Sequence, residues 1–199
     1  MASTPPASIH PRPSLAQRCA RAVLKALGWR TILVPPPGPK GIIIVYPHTS
    51  NWDFIVGMLY RIGSGLPLRW MGKDTLFRWP LRRLLLRLGG IPINRREQTG
   101  FVAALLAEFG RNEWLWLAMA PEGTRARADH WKSGFYRIAI EGRLPVGLGY
   151  IDYATRMLGV DTYLSLGGDA PQDMARIGAF YAGKRGLRPG NESAIRLRQ

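Results

Sequence analysis

The 199-residue sequence predicts an α/β protein: a single domain with a mostly parallel central sheet covered by helices, preceded by an amphipathic helix. Three observations support this. Short apolar runs rich in Ile, Val, Leu and Trp recur at 41–46, 114–120 and 145–152. These runs alternate with longer stretches of helical periodicity, the pattern of strands joined by helical crossovers. An apolar content of 46%, with 10% aromatic residues, fills one substantial core at this length and is short for two.

Taken in order, residues 1–13 hold four prolines and little apolar material, so a flexible arm is expected there. Over 14–30, a turn of about 100° per residue puts Leu15, Ala16, Cys19, Ala20, Val23, Ala26 and Leu27 on one broad face. Arg18, Arg21 and Lys25 share the opposite face. Such a helix either packs on the domain with its basic side in water, or lies in a membrane interface with its apolar face down. Cys19 is read as apolar filler rather than a nucleophile. A stiff proline-rich connector over 34–40 separates this helical region and linker, 14–34, from the α/β domain at 35–199.

The domain then reads as a strand at 41–46, a helix over 51–63, a short strand at 68–71 and a helix over 76–88. There follow a strand at 91–94, a helix over 98–111, a strand at 114–120, a helix over 134–142 and a strand at 145–152. A turn over 153–159 leads into a strand at 160–166. Asp169 and Pro171 open a terminal helix that stops near Gly183.

A net charge of +15 implies an anionic partner or substrate: nucleic acid, a phospholipid surface or a phosphorylated metabolite. One cysteine rules out an internal disulfide framework and fits a reducing compartment. His10, His48 and His130 are too scattered for a zinc-type cluster, so no metal is expected. The N-terminus lacks the marks of a secretory signal, and no stretch reaches about 18 uninterrupted apolar residues, so no spanning helix is expected. Neither a G-x-S-x-G elbow, a Walker loop nor a dinucleotide glycine fingerprint occurs.

Chemistry concentrates where strands end. His48 stands at the exit of the 41–46 strand, and Asp53 follows in the first turn of the next helix. With the chain bent between them, the carboxylate can fix one ring nitrogen and leave the other as a base. Ser50 to Asp53 also has the form of a helix cap, so the spacing admits both roles. Arg95 and Arg96 follow a glycine pair and a short strand, at the edge where α/β proteins bind ligands; each is also readable as part of a solvated loop. After the 114–120 strand come Glu122, Gly123, Thr124 and Arg125, in which Gly123 permits close backbone approach, Arg125 can meet an anion, and Glu122 is placed to orient an arginine. Arg78, Arg82, Arg83 and Arg87 ride a leucine-rich helix as a solvated or lipid-facing stripe.

In this order the blocks resemble the PlsC-like 1-acylglycerol-3-phosphate and lysophospholipid acyltransferases. His48 and Asp53 match an H-x4-D motif, and 90–95 looks like a second block that ends in a phosphate-binding Arg95. Positions 122–125 match E-G-T-R, and Pro145 with Val146 a proline-valine block. Residues 73–80, beginning at Lys73, resemble a further segment, with Thr75 where the family has glutamate; Gly147 follows Val146 where many members have proline. The resemblance implies transfer of a fatty acyl group from acyl-CoA or acyl-carrier protein, a co-substrate with no other cofactor, to a lysophospholipid hydroxyl. It gives His48 the role of base, Asp53 that of its partner, and Arg95 and Arg125 the acceptor phosphate. Glu122, Gly123 and Thr124 shape the pocket, and Lys73 and Pro145 complete the substrate-binding set. Direct attack without an acyl-enzyme is implied. The helix over 14–30 suggests a peripheral protein on the cytoplasmic face of an anionic membrane, and no nucleic acid is expected. The alternatives are a transacylase or lyso-ornithine-lipid acyltransferase within the family, and a non-catalytic basic membrane- or nucleic-acid-binding protein outside it.

Overall fold

The computed structural model describes residues 13–93 and 100–198, so the arm expected over 1–13 lies, apart from Pro13, outside the described residues. Among these, seven strands form one sheet: β1 (Arg30–Leu33), β2 (Lys40–Val45), β3 (Arg69–Lys73), β4 (Gly90–Ile93), β5 (Leu115–Met119), β6 (Val146–Asp152) and β7 (Met157–Leu164). Their order is β1-β7-β6-β2-β5-β3-β4, and each pairing is parallel except the β6–β7 hairpin. The helices are α1 (Leu15–Ala26), α2 (Trp52–Ser64), α3 (Arg82–Arg87), α4 (Phe101–Arg111), α5 (Gly134–Gly142) and α6 (Ala170–Tyr181). This is the expected class, a mostly parallel sheet flanked by helices.

Strand periodicity explains the layers. Ile42 and Ile44 point to one face, where Leu117, Leu148 and residues of α4, α5 and α6 form the larger core. Ile43 and Val45 point to the other, toward Trp116, Leu68 and Val160. Trp116 is fully buried there because its neighbour across the ladder is Gly41, where a Cβ would run into the indole ring. Its ring N–H donates to the Gly38 carbonyl at 2.9 Å, so no polar group is stranded.

Several elements differ from the sequence reading. β1 was not expected; four residues are too few to show alternation, and it forms only as an edge strand beside β7. The helix expected over 76–88 is a 3-10 turn, Asp74–Leu76, followed by the short α3, because Pro80 lacks an N–H and restricts the residue before it. β7 starts at Met157 rather than 160, so the turn after β6 is tighter than expected.

The N-terminal helix begins with a capping box. Ser14 Oγ accepts from Gln17 N at 3.2 Å, while Gln17 Oε1 accepts from Ser14 N at 2.6 Å. It packs through Ala20 and Leu24, and Arg21 Nε donates to the Gly63 carbonyl of α2 at 2.7 Å. Leu15, Cys19, Val23 and Leu27, from the face with the strongest apolar pattern, remain exposed.

Candidate active site

β2 and β5 are parallel neighbours, so their carboxyl ends deliver the loops bearing His48 and Glu122 to the same edge of the sheet. His48 Nδ1 donates to Asp53 Oδ2 at 3.2 Å, which leaves Nε2 as the basic nitrogen. Asp53, in the first turn of α2, is only 2% exposed. Its Oδ2 also accepts from Thr49 N and Ser50 N, both at 2.8 Å, and its Oδ1 accepts from the Tyr153 hydroxyl at 2.9 Å. Burial pushes this carboxyl upward, but the hydrogen bonds from His48, Ser50 N and Tyr153 hold it below the usual carboxylate range. The Tyr153 phenol is pushed up in turn, by burial and by the Asp53 charge.

Tying the start of the helix and contacting the imidazole are not alternatives for Asp53. Asn51 is the helix N-cap and makes no side-chain capping bond; Ser50 Oγ accepts from Trp52 N at 3.2 Å. Asp53 reaches back to the loop N–H groups, tying the turn that presents His48 while also facing the imidazole.

Glu122 sits on the other side of His48 and is 1% exposed. Among the described residues it accepts from two backbone groups: His48 N on Oε1 at 2.7 Å and Ser193 N on Oε2 at 3.1 Å. Burial raises its carboxyl above the ordinary value, against the pull of its bonds to Ser193 and His48. Gly123 adopts a left-handed φ of 67° beside the Lys132 stem. Thr124 Oγ1 accepts from Ala126 N at 3.2 Å, and the exposed Arg125 is fixed through its carbonyl, which accepts from Asn191 Nδ2 at 3.3 Å.

These loops border a cavity of about 860 Å³. Its inner wall, between α2 and the sheet, is mostly apolar, with Ile43, Gly57, Met58, Trp70 and Val160, and also includes the half-buried Arg61. Its rim carries His48, Lys73, Thr124, Arg125 and Lys132. Gly57 is a mid-helix glycine without a left-handed φ, and a Cβ there would meet nothing within 4 Å. Pro145 lies elsewhere: it precedes β6, and its carbonyl accepts from Ile42 N at 3.0 Å, at the opposite end of the sheet from His48. Arg95 lies outside the described residues.

Two contributors were not found by sequence reasoning. Tyr153 carried one signal, a hydroxyl-bearing side chain just past a strand end. Ser193 carried none; it belongs to a C-terminal segment that crosses both loops. Arg188 N donates to Thr49 Oγ1 at 3.1 Å, Tyr46 donates to the Ser193 carbonyl at 3.1 Å, and Ala128 N donates to Ser193 Oγ at 3.1 Å.

Comparison with known proteins bears on this arrangement. The crystal structure of a 1-acyl-sn-glycerophosphate (LPA) acyltransferase, PlsC, from Thermotoga maritima shares the fold, with a TM-score of 0.55 and 13% sequence identity, over 86% of this chain and 80% of that one. No curated protein sequence matches the chain. A sequence profile of the acyltransferase family matches residues 34–150, more than half of the chain and the whole stretch from the connector before β2 through most of β6. The chain belongs to the acyltransferase family.

Proposed function

We propose that this protein transfers a fatty acyl group from a thioester, acyl-CoA or acyl-carrier protein, to the hydroxyl of a lysophospholipid such as 1-acylglycerol-3-phosphate at an anionic membrane surface. The observation that carries the reading is the His48–Asp53 pair at the rim of a cavity with a mostly apolar inner wall and a cationic mouth. An acyl chain fits the wall between α2 and the sheet, and Arg125 and Lys132 suit a phosphate at the rim. His48 Nε2 takes the hydroxyl proton as the alkoxide oxygen attacks the thioester carbonyl, and Asp53 stabilises the imidazolium. Collapse of the tetrahedral intermediate breaks the C–S bond, and the proton passes to the departing thiolate. The ester and free thiol are the products. Among the described residues no helix is long and apolar enough to cross a membrane, consistent with action from the surface.

The test is a thiol-release assay over a panel of lyso-lipid acceptors with both donors. His48→Ala should lower turnover about 10²–10⁴-fold while leaving the circular dichroism unchanged; unaltered turnover refutes the base assignment. Arg125→Ala should raise KM for phosphorylated acceptors about 10-fold and spare uncharged ones.

A further inference from the structure

From the cavity rim through α3, residues 76–87 carry a concentration of exposed apolar groups. Trp79 is 91% exposed, and Leu76, Leu81 and Leu84 are each about half exposed. The segment is held by two inward anchors, Phe77 and Leu85, which cluster with Trp70 and with Phe54 and Met58 of α2; the Trp70 and Phe77 rings stack at 5.6 Å. A leucine-rich stretch clamped at two points and open everywhere else is not an unfinished core, because its inward positions are already filled. Arg78, Arg82, Arg83 and Arg87 are interleaved with the outward apolar groups and exposed, and no acidic residue occurs from Thr75 to Ile93. None of the four joins an ion pair among the described residues.

Apolar and aromatic side chains alternating with guanidinium groups on a solvent-facing turn match the interface of an anionic bilayer. There indole sits at headgroup depth and cations meet lipid phosphate. Position adds to composition: Leu76 is exposed and also lines the cavity that holds His48, so the segment forms part of that cavity's rim. The exposed strip of α1 has no aromatic residue, and α1 approaches α2 near Gly63 and Gly65, whereas 76–87 abuts the Phe54 and Met58 side of α2.

We propose that residues 76–87 form the surface by which this protein docks on anionic phospholipid, with Trp79, Leu81 and Leu84 entering the interface and Arg78, Arg82, Arg83 and Arg87 against the phosphates. The acyltransferase reading explains why a cavity should open beside such a surface; the docking itself is separable from it. A lipid acceptor and the acyl donor would then reach His48 from the side on which the protein rests.

The experiment is sedimentation of the full chain with vesicles of equal phosphatidylglycerol and phosphatidylcholine, and with phosphatidylcholine alone, over a salt series. Wild type should bind the anionic vesicles more tightly, with affinity falling as salt rises. Trp79→Ser combined with Leu84→Ser should weaken binding about tenfold or more, and Arg82→Ser with Arg83→Ser should remove the preference for phosphatidylglycerol. Leu15→Ser with Val23→Ser and Leu27→Ser, on the exposed strip of α1, should retain most binding. In the Trp79/Leu84 variant, turnover of monomeric short-chain donor and acceptor should stay at the wild-type level. The proposal is overturned if wild type ignores both vesicles, or if the 76–87 variants bind like wild type while the α1 variant does not. It is also overturned if the 76–87 variants keep vesicle binding but lose use of an acidic carrier-protein donor, which makes the patch a protein-docking site. Vesicle binding that follows these variants in a protein with no acyl-transfer activity supports the docking surface and refutes the proposed function.

Discussion

Asp53 and Glu122 are both buried carboxylates at one edge of the sheet, both touch His48, and their surroundings shift them in opposite directions, Asp53 down and Glu122 up. Asp53 receives two backbone N–H groups, an imidazole and a phenol, and is held in its charged form below the usual range. Glu122 receives the backbone of His48 and of Ser193, and its burial outweighs them. Equal burial therefore does not fix the direction of the shift; the donors around each carboxylate decide it. Under the proposed function one carboxylate answers a charge that forms on the imidazole, while the other holds the loop that carries the imidazole.

If that division is right, Asp53→Asn should have the largest effect. An amide can still accept from the loop N–H groups, but it turns a donor or a weaker acceptor toward Nδ1 and no longer stabilises an imidazolium. Turnover should fall about 10²–10⁴-fold with the fold intact. A loss below about threefold would erase the contrast. Glu122→Gln should show the reverse balance. Its one amide oxygen cannot satisfy both backbone donors, so about 1–3 kcal/mol of stability should be lost, with a fall in Tm of roughly 2–4 °C per kcal/mol. Turnover of the folded variant should drop by only about tenfold. If the Tm is unchanged while turnover collapses, Glu122 acts in the chemistry and the bracing assignment fails.

Tyr153→Phe is the smallest test. It removes the donor on Asp53 Oδ1 and should reduce turnover about 2–10-fold. The pH dependence gives the sign. Asp53 is lowered in the fold from its ordinary 3.8, so its stabilisation is present above that value and is lost as pH falls through the folded pKa. Without Tyr153 the lowering is smaller, so the acid-unfolding midpoint, followed by circular dichroism between pH 2 and 5, should move to higher pH. A midpoint that moves lower would show that the phenol does not support the charged form.

The parts of the fold that were legible in the sequence are those in which burial alone sets the residue type. β2 reads as a continuous apolar run because it is covered on both faces, and α5 matches its expected bounds from Gly134 to Gly142. β1 was illegible because four residues at an edge depend on β7 for their identity as a strand. In α1 periodicity found the helix but only part of the face that docks: Ala20 lies on the predicted strip, whereas Leu24, off it, is buried in an apolar cluster with Trp29 and Val56 of α2, and Arg21 reaches the Gly63 carbonyl. The contact between His48 and Asp53 was legible because they are five residues apart on one turn. Tyr153 and Ser193 were not, because they reach the same atoms only through the sheet order and the path of the C-terminal segment.

That path has a consequence for how the molecule comes together. The bonds that finish the site join residues far apart in the chain: Thr49 with Arg188, separated by 139 positions, Asp53 with Tyr153, by 100, and Glu122 with Ser193, by 71. Each closes a long loop, and such contacts gain nothing until the intervening chain is already ordered. The helices and the inner strands can therefore form while the loops that carry His48 and Glu122 still move. In refolding from denaturant, recovery of thiol-release activity should lag the far-ultraviolet signal. On mild heating the same distal ties should open before the β2, β5 and β6 centre does, as uneven amide exchange would show.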